Sequence, residues 1–248
     1  MSEHRLRLKN LFQEIVSPAE FKCVSCGADV FDESGFCSKC LQKVIFNNGK
    51  TCLRCGVALR GEENYCGNCA FEKVYFDRAY SPFSYEGTVQ KAILQMKFFR
   101  EATNAKVLAR YLVQVATQHN LQFDVVTFVP MTARAQKQRG YNQAQLLAKH
   151  FCAIMEANVP QSLLTKMKDT ERQEKLDKQA RKDNLIGAFA ADSTAKGKNV
   201  LLIDDIKTTG TTLNECAKVL KQKGALSVVC LTVASREEHF AYELQSKI

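Results

Sequence analysis

The 248-residue chain has no run of eighteen consecutive apolar residues, which leaves no segment to form a membrane-spanning helix. Its first sixteen residues, Met1 to Val16, carry Glu3, His4, Arg5, Arg7, Lys9 and Glu14 where a secretory leader has an unbroken apolar stretch. Neither a membrane span nor a signal peptide is therefore expected, and the expected location is cytoplasmic. Histidine is scarce, and the four present (His4, His119, His150 and His239) show no ligand spacing. Disordered and collagen-like compositions are excluded as well, because 46% of the residues are apolar, enough to bury a real core. In the N-terminal segment, Leu8, Leu11, Phe12 and Ile15 fall on one face of a short helix, read as packing on its own domain rather than on a membrane or partner.

The formal net charge is +9, and it is unevenly distributed. Up to Glu72 nine Lys and Arg face nine Asp and Glu, whereas from Lys73 onward 26 basic residues face 17 acidic ones. Cysteine spacing stops at the same point and hydrophobic periodicity begins. We therefore expect two domains, residues 1–72 and 73–248, the second of which meets an anionic partner: a small phosphorylated ligand, a polynucleotide, or both.

Eight of the eleven cysteines form four C-x-x-C pairs, Cys23/Cys26, Cys37/Cys40, Cys52/Cys55 and Cys66/Cys69, and each half of the segment reads C-x2-C-G-x9-C-x2-C. The two-residue gap lets both thiolates of a knuckle face one ion, and Gly27 and Gly56 permit the tight turn that follows. Two knuckles complete a four-thiolate site with no position left for water or substrate, so two structural zinc ions are expected. A disulfide framework would call for a secreted chain, and a redox C-x-x-C would occur once at a strand-to-helix junction. Pairing within each repeat is simplest, and interleaved pairing (first with third, second with fourth) stays open from sequence. Cys152, Cys216 and Cys230 lie in apolar periodic segments and read as buried thiols.

Beyond residue 72, helical periodicity marks Val107 to Val115, Leu146 to Met155 and Leu213 to Leu220, and short apolar strands occupy Val125 to Val129, Val200 to Ile203 and Leu226 to Val233. Apolar strands separated by helices of that length imply an α/β fold with a mostly parallel sheet covered on both faces. In such sheets ligands bind beyond the carboxyl ends of strands, which directs attention to the residues after Val129 and Ile203. After Ile203 come Asp204, Asp205, Ile206, Lys207, Thr208, Thr209, Gly210, Thr211 and Thr212, followed at once by a helix. Thr208 to Thr212 offer hydroxyls and backbone N–H groups around Gly210 at a helix N-terminus, a cradle for a phosphate monoester. The paired carboxylates of Asp204 and Asp205 are placed to accept from a sugar diol or to hold magnesium through water.

This segment, V-L-L-I-D-D-I-K-T-T-G-T-T, resembles the phosphoribosyl-pyrophosphate (PRPP) loop of type I phosphoribosyltransferases. The resemblance implies that Asp204 and Asp205 hold ribose hydroxyls, as the catalytic pair, and that Thr208 to Thr212 hold the 5′-phosphate. Three further stretches narrow it to the ComF/GntX family. One is Val129-Pro-Met-Thr-Ala-Arg-Ala-Gln-Lys-Gln-Arg-Gly-Tyr-Asn-Gln143; another is Thr170 to Gln173 with Leu176, Arg181, Asn184 and Gly187 to Phe189; the third runs from Tyr85 through Lys97. With the double ribbon, the likeness spans about Cys23 to Ala234.

The loop after Val129, with Pro130, Arg134, Lys137 and Arg139, is expected to meet the pyrophosphate of PRPP, and the Lys166 to Asn184 stretch has the polarity of a mobile flap. The expected PRPP set is thus Asp204, Asp205, Lys207, Thr208, Thr209, Gly210, Thr211, Thr212, Pro130, Arg134 and Arg139, with magnesium accompanying the ligand. The family resemblance implies a competence protein that handles single-stranded DNA beside a DNA-translocating helicase. Phosphoribosyl transfer from PRPP to an acceptor is the enzymatic alternative. For DNA, Lys97 to Arg100 and Arg139 to Tyr141 interleave aromatic and basic residues.

Overall fold

The structure is a computed structural model that describes residues 22–59, 61–98, 102–168 and 185–236. The Leu8 to Ile15 helix, Phe99, Arg100 and all of the expected flap beyond Lys168 lie outside the described residues.

In chain order, α1 (Ser38–Leu41) and α2 (Gly67–Phe71) belong to the cysteine-rich segment. They are followed by β1 (Arg78–Tyr80), β2 (Phe83–Ser84), α3 (Gly87–Phe98), α4 (Asn104–Gln118), β3 (Val125–Phe128), α5 (Ala133–Arg139), α6 (Gln143–Ile154), β4 (Leu164–Lys166), β5 (Phe189–Ala191), β6 (Asn199–Lys207), α7 (Thr211–Gln222) and β7 (Ser227–Ser235). The main sheet runs β1-β7-β6-β3, with β2 also pairing β7, and every pairing in it is parallel. A separate antiparallel pair joins β4 and β5.

The parallel strands are those whose apolar residues have no polar alternation: all four residues of β3 are buried, as are Val200 to Ile203 of β6. A strand buried on both faces needs cover from two layers. Helices α4 and α6 pack side by side against β7, β6 and β3, while α7 packs on β6, β7 and β5. The buried apolar residues form one continuous cluster from Cys23 to Ala234, in which Phe36 of the cysteine-rich segment meets Phe83 edge-on and Tyr111 at 6.1 Å.

Register decides what meets at the sheet's upper edge. Phe128 pairs with Ile203 and Ile203 with Leu231, so the end of β3 and the middle of β7 flank β6 at the residue before the acidic pair. Strand β6 continues past Ile203 to Lys207 because β7 keeps pairing with it there (Ile206 with Ala234, Lys207 with Ser235). Asp204 and Asp205 are thus strand residues, not loop residues as expected from sequence. The segment after Val129 also differs: Ala133 to Arg139 forms helix α5 rather than an open loop. Its residues are strong helix formers, Thr132 caps the start by accepting from the Ala135 N–H at 3.3 Å, and Gly140 ends it at φ 91°.

Candidate functional site

The two halves of the cysteine-rich segment repeat down to their hydrogen bonds. The Gly27 N–H donates to Cys23 O and the Gly56 N–H to Cys52 O, both at 2.9 Å, with φ of 74° and 68°. One antiparallel bridge closes each knuckle, Lys22 with Asp29 and Thr51 with Ala58. The second pair of each half opens a short helix, with Cys37 and Cys66 as extended N-cap residues. Cys23, Cys26, Cys37 and Cys40 gather with all sulfurs within 4.8 Å of one another, and Cys52, Cys55, Cys66 and Cys69 do the same. Pairing is therefore within each repeat, not interleaved.

The Sγ–Sγ separation is 3.7 Å for Cys26 and Cys37 and 3.5 Å for Cys55 and Cys66. Four thiolates around zinc, with bonds of roughly 2.3 Å, stand about 3.8 Å apart. The two sites fit two structural zinc ions, and with four sulfurs each they are closed to substrate. All eleven cysteines are free of disulfides, and burial pushes the Cys152 thiol up to about 11.

A second constellation sits where β6 ends. The cleft there, of about 670 Å³, is lined by the end of β6, the start of α7, one side of α3, and Tyr85, Arg139 and Arg236. The Asp205 N–H donates to Asp204 Oδ1 at 2.8 Å, which turns one oxygen of Asp204 back onto the chain. Lys97 Nζ, from the last turn of α3, stands 2.8 Å from Asp205 Oδ2. Burial, reinforced by the neighbouring Asp205 charge, raises the Asp204 carboxyl well above its ordinary range. Burial pulls the Lys97 ammonium down, but Asp205 and then Asp204 outweigh it and hold the group above its ordinary value.

Gly210 adopts φ 79° and leaves the first turn of α7 without a side-chain cap, so that turn presents backbone N–H groups to an anion. The Thr209 and Thr211 hydroxyls bond each other at 2.8 Å and brace the loop. On the opposite wall, Arg139 donates to Gln143 Oε1 at 2.7 Å, and its guanidinium lies 5.3 Å from the ring centroid of Phe98. The Tyr141 hydroxyl donates to Met96 O, which ties the start of α6 to the end of α3.

Of the residues singled out in the sequence, Asp204, Asp205, Lys207, Thr208, Gly210, Thr211, Thr212 and Arg139 line this one cleft. Thr209 braces the loop without lining it, Pro130 is buried at the end of β3, and Arg134 is exposed on α5. The side chain of Lys207 is almost fully buried, with the residue 4% exposed. Sequence reasoning did not assign Lys97, Tyr85 or Arg236 to the cleft; the first two bound the Tyr85 to Lys97 stretch, which was the available signal. Phe98 is 54% exposed and belongs to the cleft rim rather than the core.

Comparison with known proteins agrees with both constellations. The double zinc ribbon domain family matches residues 12–70, and the phosphoribosyl transferase domain family matches residues 135–241. DNA utilization protein YhgH of Salmonella typhimurium is 30% identical over 158 residues, covering 62% of this chain and 70% of the relative. Competence protein F of Haemophilus influenzae is 32% identical over 143 residues, 55% of this chain and 61% of the relative. Competence protein ComFC of Bacillus subtilis is 34% identical over 113 residues, 44% and 43% of the two chains. Among solved structures, glutamine PRPP amidotransferase from B. subtilis, complexed with ADP and GMP, is 21% identical with a TM-score of 0.38, covering 54% of this chain and 26% of that one. TT1426 from Thermus thermophilus is 13% identical with a TM-score of 0.35, covering 55% and 85%.

Proposed function

Because the chain belongs to the family of these DNA utilization and competence proteins, we propose that it is a competence protein that binds PRPP in the cleft at the end of β6 and handles single-stranded DNA. The observation that carries the PRPP half is the convergence of two unlike binding elements. An acidic pair stands at a strand end, and five residues later an uncapped helix N-terminus begins. The first suits a diol and the second a phosphate, and a sugar phosphate has both at that spacing.

In this reading Asp204 and Asp205 accept from the ribose hydroxyls. The first turn of α7 and the Thr208 and Thr212 hydroxyls take the 5′-phosphate, and Arg139, held by Gln143, faces the pyrophosphate. Magnesium, bound with the ligand, would offset pyrophosphate charge. If an acceptor base enters, the bond from the ribosyl carbon to pyrophosphate breaks as the bond to the acceptor nitrogen forms. The guanidinium of Arg139 would then stabilise the departing charge. Transfer of ribose 5-phosphate from PRPP is therefore the second reading, favoured by the match to the phosphoribosyl transferase domain family.

The DNA half is supported by the family, by the basic excess after residue 72, and by the half-exposed Phe98 with Arg139 over its ring. Stacking platforms beside cations suit single strands of any sequence. A DNA-translocating helicase is the partner this reading expects.

Titration calorimetry with PRPP and magnesium into the wild type and an Asp204→Asn, Asp205→Asn variant tests the site, with pyrophosphate release followed in parallel. Binding abolished in the variant is the expected result, and pyrophosphate release in the presence of a base would establish the transferase reading. Absence of binding in the wild type would leave the DNA reading alone. That reading in turn is refuted if single-strand affinity is insensitive to salt or survives charge reversal at Arg134, Lys137 and Arg139.

A further inference from the structure

We propose that Lys97 is the positioning residue of the acidic pair, and that its ion pair makes Asp204 and Asp205 a two-point diol acceptor rather than a divalent-cation site. The inference rests on the sugar-phosphate reading above and assigns a role to a residue that reading leaves unused.

Two adjacent carboxylates at the end of one strand repel each other, and such a pair is relieved by a shared proton, a metal ion or a protein cation. Here a protein cation is present. Lys97 Nζ lies 2.8 Å from Asp205 Oδ2, with side-chain exposures of 20% and 12%, so water screens the contact only weakly. It comes from a different element, the C-terminal turn of α3, where the helix dipole also favours a cation.

The hydrogen bonds then apportion the four carboxylate oxygens. Asp205 Oδ2 is engaged by Lys97, and Asp204 Oδ1 accepts the Asp205 N–H. Neither bond uses Asp204 Oδ2 or Asp205 Oδ1, and these two acceptor oxygens match the two donors of a vicinal diol. A carboxylate already held by an ammonium is a poor ligand for a second, divalent cation, since the two positive charges would share one group. Any metal dependence of the site therefore comes from the ligand's pyrophosphate and not from the protein.

The other charged or titratable groups lining the cleft are Tyr85 after β2, Arg139 of α5, Lys207 of β6 and Arg236 after β7. Among the described residues, Lys97 is the cation within salt-bridge distance of the acidic pair. The position of Lys97 is itself fixed from the other side of the cleft, because Met96 O accepts from Tyr141 and Phe98 lies under Arg139.

Ribose 5-phosphate, which has the diol and the phosphate but no pyrophosphate, is the discriminating probe, with Mn²⁺ alone as the second. Both are titrated into the wild type, Lys97→Met and Lys97→Arg between pH 6 and 9. The wild type is expected to bind ribose 5-phosphate without metal and with a smaller pH dependence than Lys97→Met, and to bind no Mn²⁺ at the pair. Lys97→Met should lose about tenfold or more in ribose 5-phosphate affinity near neutral pH, recover part of it as pH rises and the shared proton leaves, and gain a Mn²⁺ site. Lys97→Arg should stay within about threefold of the wild type, because the charge is retained. If Lys97→Met does not fold, Lys97→Gln, which keeps a hydrogen bond but no charge, replaces it.

Equal affinity and pH profile in the wild type and the uncharged variant would overturn the role of Lys97. So would Mn²⁺ binding to the wild type that disappears in Asp204→Asn, Asp205→Asn. A wild type that binds neither PRPP nor ribose 5-phosphate would instead sink the sugar-phosphate reading, and this inference with it.

Discussion

The two zinc knuckle assemblies share one sequence pattern and one local geometry, yet they lean on different parts of the molecule. The first, around Cys23 to Cys40, sits on helices. Gln95 of α3 donates to Ser25 O, and from α4 Asn104 donates to Val24 O and the Tyr111 hydroxyl to Ser34 O. The second, around Cys52 to Cys69, covers the sheet edge, where the Ala79 N–H of β1 donates to Arg54 O at 2.7 Å. Its exit segment is then clasped by Asn214 of α7, which accepts from the Tyr75 N–H at 2.6 Å and donates to Lys73 O at 3.1 Å. Identical local codes therefore do different work: one assembly braces helices, and the other closes an edge strand and touches α7, whose first turn is the proposed phosphate cradle.

The strongest way to break this comparison is to remove one ion at a time. A structural zinc site carries on the order of 10 kcal/mol of coupled folding energy in small ribbons, so either loss is costly. We expect Cys52→Ser, Cys55→Ser to weaken PRPP binding more than tenfold and to aggregate on heating, because an uncovered edge strand pairs with other chains. Cys23→Ser, Cys26→Ser should leave PRPP affinity within about threefold, by the same calorimetry. Equal losses would mean that the two assemblies are not distinct in function.

Glycine substitutions sharpen the contrast at smaller scale. At Gly27 an added Cβ meets nothing within 4 Å, so Gly27→Ala costs only the left-handed backbone, about 1–2 kcal/mol. At Gly56 the Cβ would stand 2.3 Å from Ala79 O, a backbone atom that cannot step aside, so Gly56→Ala should cost about 2–5 kcal/mol in denaturant unfolding. The reverse order would show that the second assembly sits more loosely on β1 than the contact implies.

Asn214→Ala removes both hydrogen bonds of the clasp and should cost about 1–2 kcal/mol in denaturant unfolding, with a parallel fall in PRPP affinity by calorimetry.

The smallest effect on stability concerns the cleft, where Lys97 stands against the acidic pair. Asp204 has a folded-state pKa raised above its unfolded one, so the folded protein binds the proton more tightly. Its contribution to stability then falls as pH rises from the unfolded value of about 4 toward the raised one. Asp204→Asn should therefore raise the melting temperature by about 2–4 °C at pH 8, with a smaller gain at pH 4, while abolishing PRPP binding.

Sequence spacing alone determined the eight clustered cysteines, the run from the acidic pair to a glycine and a helix, and the parallel α/β class, because each of these is written in residues adjacent along the chain. A C-x-x-C turn, an Asp-Asp pair before a glycine and a helix, and a run of buried aliphatic residues need no distant partner to be recognised. Tertiary structure decided the rest. It settled the pairing of knuckles within each repeat, drew Asp204 and Asp205 into the strand through the continued pairing of β6 with β7, and turned the segment after Thr132 into helix α5. It also brought Lys97 to Asp205 and Arg139 to Phe98, and set Asn214 beside Lys73 and Tyr75. Those contacts join residues 41 to 141 positions apart, and their energy depends on where the packed sheet and helices place each side chain, which no local pattern of residues encodes.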